Sequence, residues 1–118
     1  MNPTETRLAQ QFAQAQALHS QGQLQPANLI YQEILAAAPD HAGALEAMGV
    51  LAGQANNLPV AVQCFERLIA VRPDYPGAHC NRGNALKLLG QTDAALASFE
   101  RAIALDPNSA SEIGRAHV

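Results

Sequence analysis

Apolar positions along this chain recur at helical spacing, in pairs of segments joined by short polar turns. From residue 78 onward, apolar residues return every three or four positions over two stretches, 78–89 and 93–105, which predicts two consecutive helices. Between them, Gly90 stands where a helix-ending residue with positive φ belongs, and Thr92 is placed to cap the second helix. The same pair of segments occurs three times along the chain. We therefore predict six helices and no strand.

The three pairs are copies of one pattern with a period of 34 residues. Pro39, Pro73 and Pro107 each close a similar phrase, and the small and aromatic positions keep the same period without a gap. The matching columns are Ala15, Gly49 and Gly83; Ala27, Ala61 and Ala95; and Tyr31, Phe65 and Phe99. A fixed period of this size is typical of a solenoid, in which each unit packs only against its neighbours.

Helix boundaries carry residues suited to them. Pro26 and Pro59 fall in the first turn of their helices, where a missing N–H costs nothing. Asn56 holds, in the second unit, the turn position that glycine holds in the others. Asn2 and Glu5 have the spacing of a capping box, so we predict that Asn2 caps the first helix.

Together these columns resemble the tetratricopeptide repeat. With units at 8–41, 42–75 and 76–109, the eighth and twentieth positions are small, the twenty-fourth is aromatic and the thirty-second is proline. The resemblance implies an all-α fold, a right-handed α-solenoid of three helix–turn–helix units with six helices. Residues 110–118 would start a fourth unit as a short truncated helix, or form a tail. Residues 1–118 would then make a single domain.

Two residues of the third unit depart from the family pattern. Arg82 occupies a column that is usually leucine, and a guanidinium at an apolar position predicts a charge partner. His79 occupies a column that is often tryptophan, and we interpret it as a partly buried structural histidine. The small residue at Gly83 lets two helices approach closely, so we expect Phe99 to be buried, with its truncation to alanine costing about 3–5 kcal/mol.

Composition and charge narrow the function classes. The chain has 118 residues, of which 48% are hydrophobic and 14% charged, and its formal net charge is −3. It has no basic run, so we expect no nucleic-acid partner. It has no apolar stretch long enough for a membrane span, and its first residues lack the apolar core of a signal peptide. We therefore expect a cytoplasmic protein without a membrane partner.

No grouping of residues indicates catalysis or a bound metal. The histidines do not show metal-binding spacing, and Gly83 lies inside a predicted helix rather than in a phosphate-binding loop. Cys64 and Cys80 lack CxxC spacing, so we expect reduced thiols. Carboxylates recur near one position of the second helices and indicate a solvated stripe: Glu33, Glu66 and Glu100. We predict a protein that is not an enzyme, with no catalytic residue, metal or cofactor.

The resemblance implies that function lies on the concave face formed by the first helices. The family's contact positions fall on eighteen residues of this chain, Leu88 among them, and ten of these are the candidate groove residues: Phe12, Gln16, His19, Glu46, Val50, Gln54, Cys80, Asn81, Asn84 and Lys87. The Lys and Asn clamp that some relatives use for a terminal carboxylate is absent, because its positions hold Phe12, Gln16 and Ala47. Asn81 and Asn84 could bind a peptide backbone through their amides, or belong with Lys87 to a merely solvated face.

Three functions stay open from the sequence. The favoured one is a protein–protein interaction scaffold that binds a peptide or protein segment in the groove. The second is the N-terminal docking or regulatory region of a larger enzyme, such as an O-linked glycosyltransferase. The third is a self-associating structural module, a homo-oligomer formed through an uncapped third unit. The candidates for that contact are Leu89, Leu96, Phe99 and Ile103.

Overall fold

The computed structural model of this chain describes residues 2–108. Within that range the chain forms six helices and no strand, which confirms the predicted all-α fold. The helices are α1 (Pro3–Ser20), α2 (Leu24–Ala37), α3 (Ala42–Gln54), α4 (Leu58–Val71), α5 (Pro76–Leu88) and α6 (Thr92–Leu105). The truncated helix predicted within 110–118 lies outside the described residues.

The helices stack as three antiparallel pairs. α1 packs against α2, α3 against α4 and α5 against α6, while α2 contacts α3 and α4 contacts α5 between pairs. The first helices of successive pairs also touch, α1 with α3 and α3 with α5, so they line one side of the stack. The resulting body is elongated, with principal extents of 42 × 28 × 20 Å. This is the solenoid that the 34-residue period predicts.

Each pair reverses direction at a residue in the left-handed region. Gly22, Asn56 and Gly90 have φ of 80°, 60° and 82°, which confirms the predicted turn positions. The third reversal closes with the Gln91 N–H donating to the Leu86 carbonyl at 2.9 Å. Glycine adopts this φ without a steric penalty, and asparagine is the side chain that tolerates it best.

The first helix begins as the sequence predicts. The Asn2 Oδ1 accepts a hydrogen bond from the Glu5 backbone N–H at 2.8 Å, which satisfies one of the unpaired donors of the first turn. Pro26 and Pro59 lie in the first turns of α2 and α4, as expected for a residue without an N–H.

The boundaries of the third pair differ from the prediction. Thr92 is not a cap: α6 begins at Thr92, and Gln91 precedes it without a side-chain cap hydrogen bond within the described chain. Only Gln91 lies between Gly90 and α6, and its N–H closes the turn, so Thr92 is already helical. α5 begins at Pro76, whose fixed φ suits a first helical position, rather than at residue 78, and it ends at Leu88.

The small and aromatic columns meet inside each pair. A Cβ built on Gly49 would lie 2.5 Å from the Cε1 of Phe65, so α3 and α4 can approach at this distance only because position 49 has no side chain. In the first pair, Ala15 and Tyr31 are both fully buried. These contacts confirm the columns as the packing surface of the solenoid and leave the outer surfaces of the first helices open.

The predicted partner of Arg82 is present. One guanidinium nitrogen of Arg82 lies 3.3 Å from the Glu66 carboxylate of α4, and the other donates to the Ser98 hydroxyl of α6 at 2.8 Å. Glu66 is therefore not simply a member of a solvated stripe, as the sequence suggested. His79 is 8% exposed and its Nε2–H donates to the Pro73 carbonyl at 2.9 Å, which confirms its structural role.

Candidate functional site

The side of the stack formed by the first helices carries two recesses. The α1–α3 recess encloses about 600 Å³, and its lining consists of Phe12, Gln16, His19, Ser20, Tyr31, Gly43, Glu46, Ala47, Val50 and Gln54. The α3–α5 recess encloses about 280 Å³, and its lining consists of Gly49, Val50, Gly53, Gln54, Leu58, Ala61, Phe65, Asn81, Asn84, Ala85 and Leu88. Val50 and Gln54 belong to both, so the recesses are neighbouring regions of one groove.

Most of the candidate groove residues from the sequence line this groove. The α1–α3 recess contains Phe12, Gln16, His19, Glu46, Val50 and Gln54, and the α3–α5 recess adds Asn81 and Asn84. Cys80 and Lys87 line neither recess. Cys80 is half-buried and packs against a buried cluster formed by Leu86, Ala95, Phe99 and Ala102, while Lys87 is exposed on α5.

His19 is held in place by both ring nitrogens. Its Nε2 lies 2.6 Å from the Gln54 Oε1, and its Nδ1 lies 3.2 Å from the hydroxyl of the buried Tyr31. Because the amide oxygen can only accept, the Nε2–H donates to it and the Tyr31 O–H donates to Nδ1. This chain of hydrogen bonds joins α1, α2 and α3 and fixes the shape of the α1–α3 recess.

Glu46 is tied to Tyr75, a contact that the sequence did not suggest. The Tyr75 O–H donates to the Glu46 carboxylate, and the Arg72 guanidinium lies 4.9 Å from the centre of the Tyr75 ring. Burial is the main cause that raises the pKa of Tyr75; the hydrogen bond and the negative charge of Glu46 raise it further, and Arg72 opposes the shift. The sequence signal that could have drawn attention to Tyr75 is the 34-residue period. It aligns Tyr75 with His41, another ring directly before a first helix.

His41 has the corresponding position in the preceding unit, but unlike Tyr75 its side chain caps the helix that follows. Its Nδ1 accepts a hydrogen bond from the Ala44 N–H at 3.0 Å and so caps α3. Its ring centre lies 5.3 Å from that of Phe12, and a Cβ at Gly43 would lie 2.9 Å from the Phe12 ring. These contacts position Phe12 at the wall of the α1–α3 recess.

The two recesses differ in charge. Glu46 is the one carboxylate in the described lining of the α1–α3 recess, which has no lysine or arginine. The described lining of the α3–α5 recess has no charged side chain, and its polar groups are the amides of Gln54, Asn81 and Asn84. Leu88, which occupies one of the family's contact positions, also lines this recess, with 72% of its surface exposed.

Residues 2–108 contain no cluster of three or more His, Cys, Asp or Glu that could hold a metal. Cys64 is buried, and burial raises the pKa of its thiol, with the nearby Arg67 opposing the shift, so the nucleophilic thiolate is disfavoured. Neither Cys64 nor Cys80 is in a disulfide. Among the described helices, none has the length and apolarity that a membrane crossing requires.

The four self-association candidates differ in how much of each side chain is exposed. Leu96 and Ile103 are 55% and 37% exposed on α6, and Leu89 is half-buried. Phe99 is wrong as a candidate, because it is only 7% exposed and packs against Gly83 within its own helix pair.

Comparison with known families identifies two matching models. A tetratricopeptide repeat model matches residues 76–109, and a second model, described as TPR repeat, matches residues 53–90. No curated protein sequence matches the chain.

Several solved structures share the fold. A mutant of the Thermobaculum terrenum O-GlcNAc transferase superposes with a TM-score of 0.83 at 25% identity, covering 91% of this chain and 21% of the transferase chain. MamA from Desulfovibrio magneticus RS-1 superposes with a TM-score of 0.79 at 22% identity, and the match covers 85% of this chain and 56% of the MamA chain. The first TPR of Spaghetti, bound to an HSP90 peptide of sequence SRMEEVD, superposes with a TM-score of 0.82 at 20% identity. That match covers 94% of this chain and 93% of the Spaghetti chain. This chain thus spans about a fifth of the length of the transferase.

Proposed function

Because the chain belongs to the tetratricopeptide repeat family, we propose that it is a protein-interaction scaffold that holds an extended peptide or protein segment in its groove. The observation that carries the proposal is the continuity of the two recesses, which share Val50 and Gln54 as a common wall. A single extended segment can therefore contact α1, α3 and α5 together.

The polar groups of the groove suit a peptide backbone. Gln16, Gln54 and Asn84 are exposed and Asn81 is half-buried, so their amides are accessible from the groove. A side-chain amide both donates and accepts hydrogen bonds, as the peptide group does, so it can pair with a backbone of any sequence. Apolar surface between these amides adds contact area without demanding a particular residue.

The occupant need not end in a carboxylate. In the TPR of Spaghetti the bound molecule is the peptide SRMEEVD. Here, the positions that would hold such a terminus are Phe12, Gln16 and Ala47, of which none is basic. We therefore propose that an internal segment of the partner occupies the groove.

The test uses peptides selected from a random display library and measured by fluorescence polarisation. The double change Asn81→Ala with Asn84→Ala removes two groove amides and should weaken binding about tenfold. The matched control is Gln32→Ala with Gln63→Ala, which removes two exposed amides from α2 and α4, outside both recesses. Equal affinity for the two double variants would show that the groove is not the binding site.

A second candidate is a docking region of a larger enzyme. The likeness to the O-GlcNAc transferase, at 25% identity over 91% of this chain, favours it. In this proposal the domain presents a substrate protein and contributes no catalytic residue. Sequencing the source gene beyond this reading frame tests it: an adjoining enzyme domain supports it, and a stop codon directly after Val118 contradicts it.

Self-association is a third candidate, supported by the 34-residue period. Leu96 and Ile103 align with Val62 and Ile69, which in the previous unit pack against the core. Leu96→Glu with Ile103→Glu should abolish any dimer seen by sedimentation, whereas Leu29→Glu, at a 61%-exposed leucine of α2, should not. A monomer at high micromolar concentration contradicts this candidate.

A reducing, cytoplasmic setting completes the proposal. It is supported by the free thiols of Cys64 and Cys80. A fluorescent fusion found outside the cytoplasm would contradict it.

A further inference from the structure

The two recesses present different chemistry along one groove. We propose that the groove selects a segment carrying a lysine or arginine for the α1–α3 recess and an aliphatic side chain for the α3–α5 recess, three positions apart. This inference rests on the proposed function and adds the chemical class of the bound segment.

The α1–α3 recess is suited to a cation. Glu46 is half-buried and supplies the negative charge beside the Tyr75 hydroxyl. The described lining has no lysine or arginine that would neutralise it. His19 is occupied by Gln54 and Tyr31, so a bound ammonium or guanidinium group would have Glu46 as its ionic partner. Charge complementarity of this kind favours a basic side chain and rejects an acidic one.

The α3–α5 recess is suited to an aliphatic side chain. Ala61, Phe65 and Leu88 contribute apolar lining, while Gly49 and Gly53 add no side chain to the α3 wall beside Val50 and Gln54. No charged group belongs to the described lining, so a charged residue would lose hydration there without gaining a partner. An aliphatic side chain would instead cover apolar surface that solvent now contacts.

The distance between the recesses sets the spacing of the two side chains. Each recess lies between two first helices, and packed helices are about 10 Å apart, so the recess centres are separated by about 10 Å. In a polyproline II segment, positions i and i+3 point the same way about 9 Å apart. In a β-strand, positions on one face are about 7 Å or 13 Å apart, which fits less well. The bound segment is therefore of the polyproline II type, with the pair at i and i+3.

The experiment uses labelled, end-blocked peptides in both chain directions, Ac-GPKPPLPG-NH2 and Ac-GPLPPKPG-NH2, in fluorescence polarisation. At least one direction should bind. In that peptide, replacing lysine by glutamate should weaken binding at least tenfold, and replacing leucine by alanine about tenfold. A peptide in which lysine and leucine are adjacent should also bind about tenfold more weakly.

Variants of the protein assign each side chain to its recess. Glu46→Gln should weaken the lysine peptide about threefold to fivefold and leave unchanged a peptide with norleucine in place of lysine. Glu100→Gln, an exposed carboxylate of α6, is the control. Leu88→Ser should weaken binding, whereas Leu29→Ser, at a similarly exposed leucine of α2, should not. Gly53→Leu should also weaken binding, because Gly53 lines the recess and a leucine side chain there would fill it. The fold should be retained, since a Cβ added at Gly53 meets no described atom within 4 Å.

The outcomes separate this inference from the proposed function. If library-selected peptides depend on Asn81 and Asn84 but lack the basic–aliphatic pair, the specificity is wrong and the groove stands. If the designed peptides bind equally well with glutamate in place of lysine, the role of Glu46 is wrong. If no peptide depends on Asn81 and Asn84, the proposed function fails as well.

Discussion

Gly83 of α5 lies directly against the ring of Phe99 of α6. A Cβ built on Gly83 would be 2.6 Å from the Phe99 Cε1, well inside the distance that two carbon atoms tolerate. Phe99 is 7% exposed, so its ring has little room to withdraw. This contact sets how closely the third helix pair packs, and with it the position of the α5 residues that line the groove.

The change Gly83→Ala should therefore lower the free energy of unfolding by about 1–3 kcal/mol, because the close packing of α5 and α6 cannot absorb a methyl group. Urea unfolding measures the loss. The control is Gly53→Ala, where an added Cβ meets no described atom within 4 Å, and it should raise stability by about 0.5 kcal/mol. If both alanines had the same effect, helix propensity rather than the Phe99 contact would explain the glycine column.

Arg82 holds three helices together, and lysine should not replace it. Its guanidinium reaches Glu66 and the 2%-exposed Ser98 at once, whereas an ammonium is a single point charge. We expect Arg82→Ala to cost about 1–3 kcal/mol, mostly because the Ser98 hydroxyl loses its partner. Glu66→Gln should cost less than about 1 kcal/mol, since this ion pair is half exposed.

A double-mutant cycle of Arg82→Ala and Ser98→Ala, followed by thermal or urea unfolding, tests that assignment. The double variant should be more stable than the sum of the two single losses predicts. Strict additivity would show that the Ser98 hydrogen bond contributes nothing.

The turn at Asn56 is a place where stability can be gained. Asn56 has φ of +60°, while the corresponding residues Gly22 and Gly90 lack the Cβ that disfavours this conformation. Asn56→Gly should raise stability by about 0.5–1 kcal/mol, and Gly90→Ala should lower it by about 1 kcal/mol. Melting temperatures of the two variants test these opposite changes in stability. A lower melting temperature for Asn56→Gly would mean that the asparagine side chain stabilises the turn.

Stability should fall at alkaline pH. Burial raises the pKa of Cys64 and Tyr31 above their ordinary values of 9.0 and 10.0, and it also raises that of Tyr75. Above pH 9.0 the folded chain therefore keeps protons that the unfolded chain releases. The free energy of unfolding consequently decreases as pH rises through this range and is unaffected by these groups below it.

Urea unfolding at a series of pH values from about 8 to about 11 follows this decline, which should begin near the ordinary pKa of each group and level off once the buried group itself ionises. In Cys64→Ala the component that begins near pH 9.0 should be missing, while the tyrosine component remains. Constant stability throughout the series would contradict the burial of these groups.

Several features of the fold follow from local sequence. The period that relates Gly22, Asn56 and Gly90 predicts the three reversals, because a left-handed residue is a requirement of the turn itself. Asn2 as a cap is likewise a local decision between neighbouring residues. The odd polarity of Arg82 predicts that it has a partner, because an apolar column does not accommodate an unpaired charge.

The sequence by itself determined the helices and their pairing, since a 34-residue period repeats the same local choices three times. The faces expected to form the groove came from the resemblance to the tetratricopeptide repeat. Tertiary structure decided the partners: Glu66 and Ser98 for Arg82, Tyr75 for Glu46, and Gln54 for His19. It also decided which recess each groove residue lines, and that Cys80 and Lys87 line neither. These contacts join residues from different helices, and their distances depend on how closely the helices pack, which periodicity along one chain does not specify.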